Sequence, residues 1–376
     1  MGITWADVTA RRMSRQHLTA AAPGVEAAVV AMAAAHAQVA SAAELSIGIR
    51  TEGTTRADVR AALAEGTLTK TIGPRGTVHL LPTRDLGLWL GALDSLPATN
   101  GLPAVARLSD DQQVEVLAAI ASALEGGADL TADELDGRVV AQTGPWAADP
   151  VVPAFGGWWP RWRQAIPRAA SAGTLAYGAG RSAKATYARP PAFTVPHDPA
   201  AALLREYLHS YGPATHREFA QWLAAPLGWA AAVFERAPIQ SVQVKDVRVE
   251  DEERWVNHGD TAFEDAPAEG IRLLPYFDPY AVGSHPRGLL FPGRAAERAL
   301  GRGQAGVYPV LLIDGVVAGV WHQKRSGKRI TVTVEPLRTL RAAQVRELEH
   351  SAERVGVILE GAASLIVGQL GVGPHA

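Results

Sequence analysis

The sequence predicts an α+β fold: three helix–helix–hairpin units in tandem, packed around a strand-rich C-terminal region. Three observations carry that reading. Helix-start signatures recur far apart along the chain, a turn-linked pair of short β-prone runs follows each helical pair, and beyond Gly270 strand-like runs take over.

In the first unit, residues 25–35 read as a helix of small residues. Ser41-Ala42-Ala43-Glu44 has the form of a capping box that opens a new helix at Ser41. A helix stop and a helix start so close together leave residues 36–40 in a break. Thr55-Arg56-Ala57-Asp58 opens another helix, ended by Gly66, and strands at 67–72 and 77–81 join through Gly73-Pro74-Arg75-Gly76. The second unit opens at the capping box Thr131-Ala132-Asp133-Glu134. A Pro/Gly/Trp-rich connector over 150–159 leads to a helix at 160–172, and strands at 174–177 and 183–188 flank the Gly178–Ser182 turn. The third starts at Thr215-His216-Arg217-Glu218, continues as a helix at 227–236 and closes with strands at 241–249 and 252–258. Helix, helix, hairpin is the winged-helix order. Each unit is too small to bury its own core well, so the units are expected to pack together.

The boundaries fall at 1–100, 101–192, 193–268 and 269–376, with Pro190-Pro191 to Asp198-Pro199 marking the clearest of them. The last segment predicts strands at 271–276, 289–291, 307–313, 316–321 and 330–335, then a helix at 341–359. Asp314-Gly315 between apolar runs is the signal of a two-residue hairpin turn. The expected architecture is three tandem winged-helix units packed around a β-barrel or curled sheet.

Length and composition set the bounds. A chain of 376 residues calls for two or three modules, and 47% hydrophobic against 20% charged residues describes a globular protein. Cysteine is absent, which excludes disulfides and thiolate chemistry. The start of the chain lacks the form of a signal peptide, and the low-charge run at 24–43 contains Glu26, His36 and Gln38, so no membrane span and a cytoplasmic location are expected. A net charge of −2 means that any nucleic-acid site must be a local patch.

The break at His36-Ala37-Gln38 is the first candidate for chemistry. Residues i and i+2 lie on nearly opposite sides of a helix but share a side in an extended segment. His36 and Gln38 can therefore face one way while Ala37 turns into the core. A core histidine with a capping amide fits the same residues. The histidines show no metal-ligand spacing, and no metal or other cofactor is expected. Gly301-Arg302-Gly303-Gln304-Ala305-Gly306 matches a dinucleotide fingerprint by letter but follows a helix and precedes a strand, the reverse of the required context, so no nucleotide cofactor is expected. Asp278, beside Pro279, reads as a turn or N-cap residue rather than a general base. Trp321-His322-Gln323-Lys324-Arg325-Ser326-Gly327-Lys328-Arg329 carries four formal positive charges and no acid, a concentration suited to phosphates on a hairpin turn. Trp158-Trp159-Pro160-Arg161-Trp162-Arg163 is a second patch, with its tryptophans expected in the core and its arginines at the rim.

Taken together, the His36-Ala37-Gln38 break, Gly73–Leu80 on the first wing, Leu273-Leu274-Pro275-Tyr276-Phe277-Asp278-Pro279-Tyr280 and the hairpin from Asp314-Gly315 to Trp321 resemble the winged-helix DNA glycosylases of the AlkZ/YcaQ type. The resemblance runs from about Ser14 to Leu359, with the motifs in the family's order. In that family a Gln-Φ-Gln or Gln-Φ-Asp pair is catalytic; here His36 stands first and Gln38 second. That departure is similar to the variant in self-resistance enzymes of organisms that make DNA-alkylating antibiotics. The resemblance implies a monofunctional glycosylase that excises bulky N7-alkylguanine adducts and leaves an abasic site, with His36 and Gln38 catalytic. A monomer acting on double-stranded DNA is expected, with the basic hairpin (His322, Gln323, Lys324, Arg325, Lys328 and Arg329) and, on the first wing, Arg75 and His79 as candidate DNA contacts; His79 fits a core histidine equally well. The rival class is a winged-helix transcription regulator or a non-catalytic damage-binding protein. Three wing units in one chain, and a polar pair off any recognition helix, count against it.

Overall fold

A computed structural model describes residues 3–97, 101–154, 157–181, 184–245, 253–263 and 266–374. The described chain divides into two compact units, Leu63–Leu203 and the pair of segments Met1–Ala62 and Leu204–Ala376.

The centre of the larger unit is an open five-stranded sheet in the order Ile271–Leu274, Val310–Ile313, Val316–Ser326, Arg329–Pro336, Ala362–Val367. Its two outer strands do not pair with each other, so it is a curled sheet and not a closed barrel. The first four strands are antiparallel. Asp314 and Gly315 both take positive φ, 55° and 78°, as a primed two-residue turn requires. The fifth strand runs parallel to its neighbour, reached through the Ala342–Ile358 helix, which packs on the sheet. Alternation then splits the side chains into two cores. Leu311, Ile313, Trp321, Ile330, Val332 and Val334 face Leu348, Val355 and Ile358 of that helix. Leu274, Val310, Leu312 and Val320 face Met13, Tyr280 and Phe291.

Two expectations for this region are corrected. Residues 289–291 are not a strand: Arg287–Leu290 is a short helix. An apolar run of three residues does not carry its own periodicity, so strand and helix are indistinguishable in it. Ala362–Val367 is a strand that no strand-like reading of the sequence anticipated.

Residues 215–257 follow the expected order: helices His216–Leu223 and Leu227–Arg236, then Ile239–Val242 paired with Arg254–Asn257. The expected strands at 241–249 and 252–258 fall partly outside the described residues. The Thr215 capping box forms, and its acid does double duty: Glu218 also accepts Arg254 at 2.7 and 2.9 Å in a buried pair.

His285 is buried in this unit, and burial, with Arg287, Arg12 and Arg254 around it, lowers its pKa from 6.5 to about 3. The unfolded chain then binds one more proton than the folded chain between those values, so stability falls as pH drops from about 6.5 toward 3, by up to about 1.4 kcal/mol per pH unit. Urea unfolding at pH 7, 5 and 4 is expected to show this slope, and His285→Gln to flatten it.

In the smaller unit, Leu68–Ile72 and Val78–Pro82 form the first hairpin. Helices Asp110–Ala123 and Ala132–Thr143 pack around Trp162, with the three strands Asp129–Thr131, Thr186–Ala188 and Ala176–Tyr177 at their edge. Ser182 and Ala183, in the expected turn and strand, lie outside the described residues. The Trp-rich patch is arranged the other way round from expectation. Only Trp162 is core, donating Nε1–H to Asp136 Oδ1 at 2.8 Å. Trp158 and Trp159 are 63% and 47% exposed on the ribbon of Pro150–Ala154 and Gly157–Pro160, while Arg161 and Arg163 are tucked against Asp149 and Asp136. The reversal has a local cause. The ribbon has only two strands among the described residues, whereas Trp162 lies in the Arg161–Ala165 helical turn, whose buried side is part of the core.

No helix among the described residues is long and apolar enough to cross a membrane.

Candidate active site in a helix break

The Val25–Ala31 helix ends four residues earlier than expected. Ala33 and Ala34 both adopt positive φ, 49° and 83°, a conformation that costs an L-residue with a Cβ about 1–2 kcal/mol each. Alanine has the smallest side chain that could be placed there short of glycine. The kink is held in part by Tyr211, whose buried hydroxyl donates to Met32 O at 2.7 Å. Ala35 and His36 are then extended as a two-residue strand. Ala37 is buried, and Gln38 is exposed at the surface.

The next helix, Ala40–Gly48, begins one residue before the expected capping box and has Val39 as its N-cap, with no side-chain cap. Glu44, the acid that would complete the box, instead pairs with Arg56 and Arg60 at 3.1 and 2.9 Å. Two guanidinium partners outbid one backbone N–H for the same carboxylate. The break therefore exists as expected, but a different device defines it.

What fixes His36 comes from 241 residues downstream. Its ring lies 4.5 Å from that of Phe277, at an angle of 33°. Phe277 has φ of 55°, unusual for a bulky residue, and donates its N–H to Gly306 O at 3.2 Å. A Cβ at Gly306 would come within 2.9 Å of the Phe277 ring. The last glycine of the dinucleotide-like letters thus makes room for the ring that contacts His36. Tyr276 is half-buried beside it, its ring 6.3 Å from that of Phe277.

The next residue locks this loop in place. Asp278 is fully buried; Oδ1 accepts the Tyr280 N–H at 3.0 Å, so it is the N-cap of Pro279–Gly283, as expected. Both its oxygens also accept from Arg50 at 2.8 Å, and Ser46 Oγ donates to Oδ2 at 2.8 Å. Ser46 belongs to the helix that leads directly out of the His36-Ala37-Gln38 break, and Arg50 lies two residues past its end. The bidentate pair therefore ties the segment carrying His36 to the loop carrying Phe277. That helix is held again at Gly48, where a Cβ would meet Ile358 at 2.6 Å, and by Arg354, which donates to the carbonyls of Gly48, Thr51 and Thr54. Trp321 Nε1 donates to Leu274 O, fixing the strand that precedes the Phe277 loop. The candidate site is a strained loop end mounted on rigid elements, the arrangement that keeps reacting groups in register.

The basic hairpin is longer than expected, with the first strand reaching Ser326 and the second beginning at Arg329. Register sorts its residues by face. His322, Lys324 and Ser326 lie opposite Thr333, Thr331 and Arg329 on one face. Trp321, Gln323 and Arg325 are on the other, toward the Ala342–Ile358 helix, where Arg325 Nη1 donates to Leu359 O at 2.7 Å. Arg325 and Gln323 are thus turned away from Lys324 and Arg329, and Lys328 is exposed at the turn. At the first hairpin, Arg75 is half-exposed with φ of 61°, whereas His79 is buried, its Nδ1 2.9 Å from Thr77 O. Burial makes His79 a support of that turn rather than a surface contact.

This geometry has a family. The model described as DNA glycosylase AlkZ-like matches residues 29–357. The chain belongs to that family of DNA glycosylases. It is 29% identical over 373 residues to an interstrand DNA cross-link repair glycosylase of Streptomyces sahachiroi, covering 95% of this chain and 98% of the relative. The solved structure of Streptomyces sahachiroi DNA glycosylase AlkZ superposes with a TM-score of 0.78 at 26% identity, over 97% of this chain and all of that one. This AlkZ-like chain is accordingly a monofunctional DNA N-glycosylase, a hydrolase of DNA repair.

Proposed function

We propose that this glycosylase hydrolyses the N-glycosidic bond of bulky N7-alkylguanine adducts, as self-resistance to a DNA-alkylating antibiotic, and leaves an abasic site. An N7-alkylated guanine already carries a positive charge, so its bond to the sugar is weakened and the base leaves without being protonated. The enzyme has only to hold a water at the sugar carbon and stabilise the oxocarbenium-like centre that develops there. His36 positions that water and takes up its proton as the oxygen attacks, a task suited to an imidazole, whose unprotonated ring nitrogen is a proton acceptor. Gln38, at the surface end of the break, orients the same water or the sugar-phosphate.

The observation that carries this reading is the seating of His36: extended backbone, ring against Phe277, in the place where the resemblance puts the family's first glutamine. A histidine there supplies a base in addition to a hydrogen bond. The name of the Streptomyces relative refers to interstrand cross-links. A cross-link anchored at guanine N7 is a bulky adduct with the same weakened bond, so it falls within the proposed chemistry. We read the three helix–helix–hairpin units as winged helices, Lys324, Lys328, Arg329 and His322 of the larger unit and Arg75 of the smaller one each as a contact to duplex DNA, and the protein as a monomer in the cytoplasm.

Duplexes alkylated by a simple methylating agent and by a bulky intercalating alkylator, incubated with the enzyme and cleaved under mild alkali, test it. Strand scission at the bulky guanine adduct, well above that at methylated guanine, is the expected result. Efficient scission at the methylated base with none at the bulky one would overturn the substrate assignment.

A further inference from the structure

The half of the five-stranded sheet that carries the basic hairpin has one face against the Ala342–Ile358 helix. Its other face forms a grid of nine side chains. Register places His322, Thr333 and Ile366 in one row, Lys324, Thr331 and Ser364 in the next, and Ser326, Arg329 and Ala362 in the third. Ala362, Ser364 and Ile366 are exposed, alternating with half-buried neighbours. The grid holds two formal cations, one histidine, four hydroxyls and no acid, in a chain whose net charge is −2. His322 Nδ1 is buried and has no hydrogen-bond partner among the described residues, and burial lowers the pKa of this imidazole. Strand spacing of about 4.8 Å and a same-face repeat of about 6.7 Å make the grid roughly 10 by 13 Å.

We infer that the whole three-stranded face, and not the hairpin turn alone, is the DNA-binding surface. The sugar-phosphate backbone lies across it, and Ser364 and Thr331 contact phosphates beside Lys324 and Arg329. This rests on the reading of the hairpin as a DNA contact. The occupant follows from charge: a polyanion is what a cationic, hydroxyl-lined grid complements, the acid in the next row of the face, Glu335, being paired with Arg298 at 3.0 Å, and hydroxyls donate to phosphate oxygens without sequence preference. The last strand of the sheet, which shows no charge of its own to mark it in the sequence, thereby becomes part of the interface.

Binding of an undamaged duplex, followed by fluorescence anisotropy across a salt series, tests the inference. Ser364→Glu and Thr331→Glu are expected to weaken binding by roughly fivefold or more at low salt, and Ser364→Lys to tighten it, a reversal of sign that misfolding cannot imitate. Lys324→Ala and Arg329→Ala should each lower the slope of log K against log salt by about 1. If those two variants behave so while all substitutions at 364 and 331 leave affinity unchanged, DNA touches only the hairpin and the inference fails. If Lys324→Ala and Arg329→Ala are silent as well, the reading beneath it fails too.

Discussion

His36→Ala is expected to lower single-turnover excision of an N7-guanine adduct by about 10²–10⁴-fold, the range lost with a general base, while leaving affinity for DNA unchanged. The ring it removes packs on Phe277 at the end of a kink held by Tyr211 and two strained alanines, so an unfolding midpoint should accompany the measurement. His36→Gln distinguishes chemistry from packing. An amide can still hold a water but cannot take its proton. The variant should therefore recover part, and only part, of the activity lost in His36→Ala. Gln38→Ala should cost less, roughly 10–100-fold, the loss of one orienting hydrogen bond. Undiminished single-turnover rates in both alanine variants would remove the pair from the mechanism.

The difference between His36 and its setting shows what could be read from the chain alone. The break was legible because the helix before it and the helix after it are local patterns, although the kink at Ala33-Ala34 and not the Ser41 box defines it. So was the Asp314-Gly315 turn, whose two positive φ values follow from the residue types. The capping boxes at Thr131 and Thr215 form as the letters suggest, but Ser41-Ala42-Ala43-Glu44 does not. Glu218 keeps its cap while pairing with Arg254; Glu44 is taken by Arg56 and Arg60. Which of the two happens depends on where cations from other elements arrive, and no local pattern states that. Phe277 is the larger omission. In the Phe277-Asp278-Pro279-Tyr280 run the acid is the residue whose role its type reveals, and it caps a helix as expected, yet the ring beside it is the one that meets His36. A phenylalanine at φ of 55° is a conformation that tertiary structure imposes against local preference, and its partner glycine, Gly306, carried a misleading motif. Likewise Arg325 counted as one of four cations until strand register turned it to the far face.

Breaking the Arg50–Asp278 pair is expected to have the largest effect on stability. Both side chains are fully buried and joined by two 2.8 Å contacts, so Arg50→Ala leaves a carboxylate without its countercharge and Asp278→Ala leaves a guanidinium; either should cost about 3–5 kcal/mol, measured by urea unfolding. Arg50→Met with Asp278→Leu, which removes both charges at similar volume, should recover much of that stability, because desolvating an ion pair offsets most of its attraction. Excision should not recover in step. The apolar pair cannot cap the Pro279–Gly283 helix or accept Ser46 Oγ, so it fails to hold the Phe277 loop against the segment that carries His36. A double variant that folds stably, binds DNA and excises slowly would show that the ion pair exists to place Phe277 on His36. One that excises at the parent rate would show that the pair serves the core alone, and that His36 is seated by the kink and Tyr211 without help from across the fold.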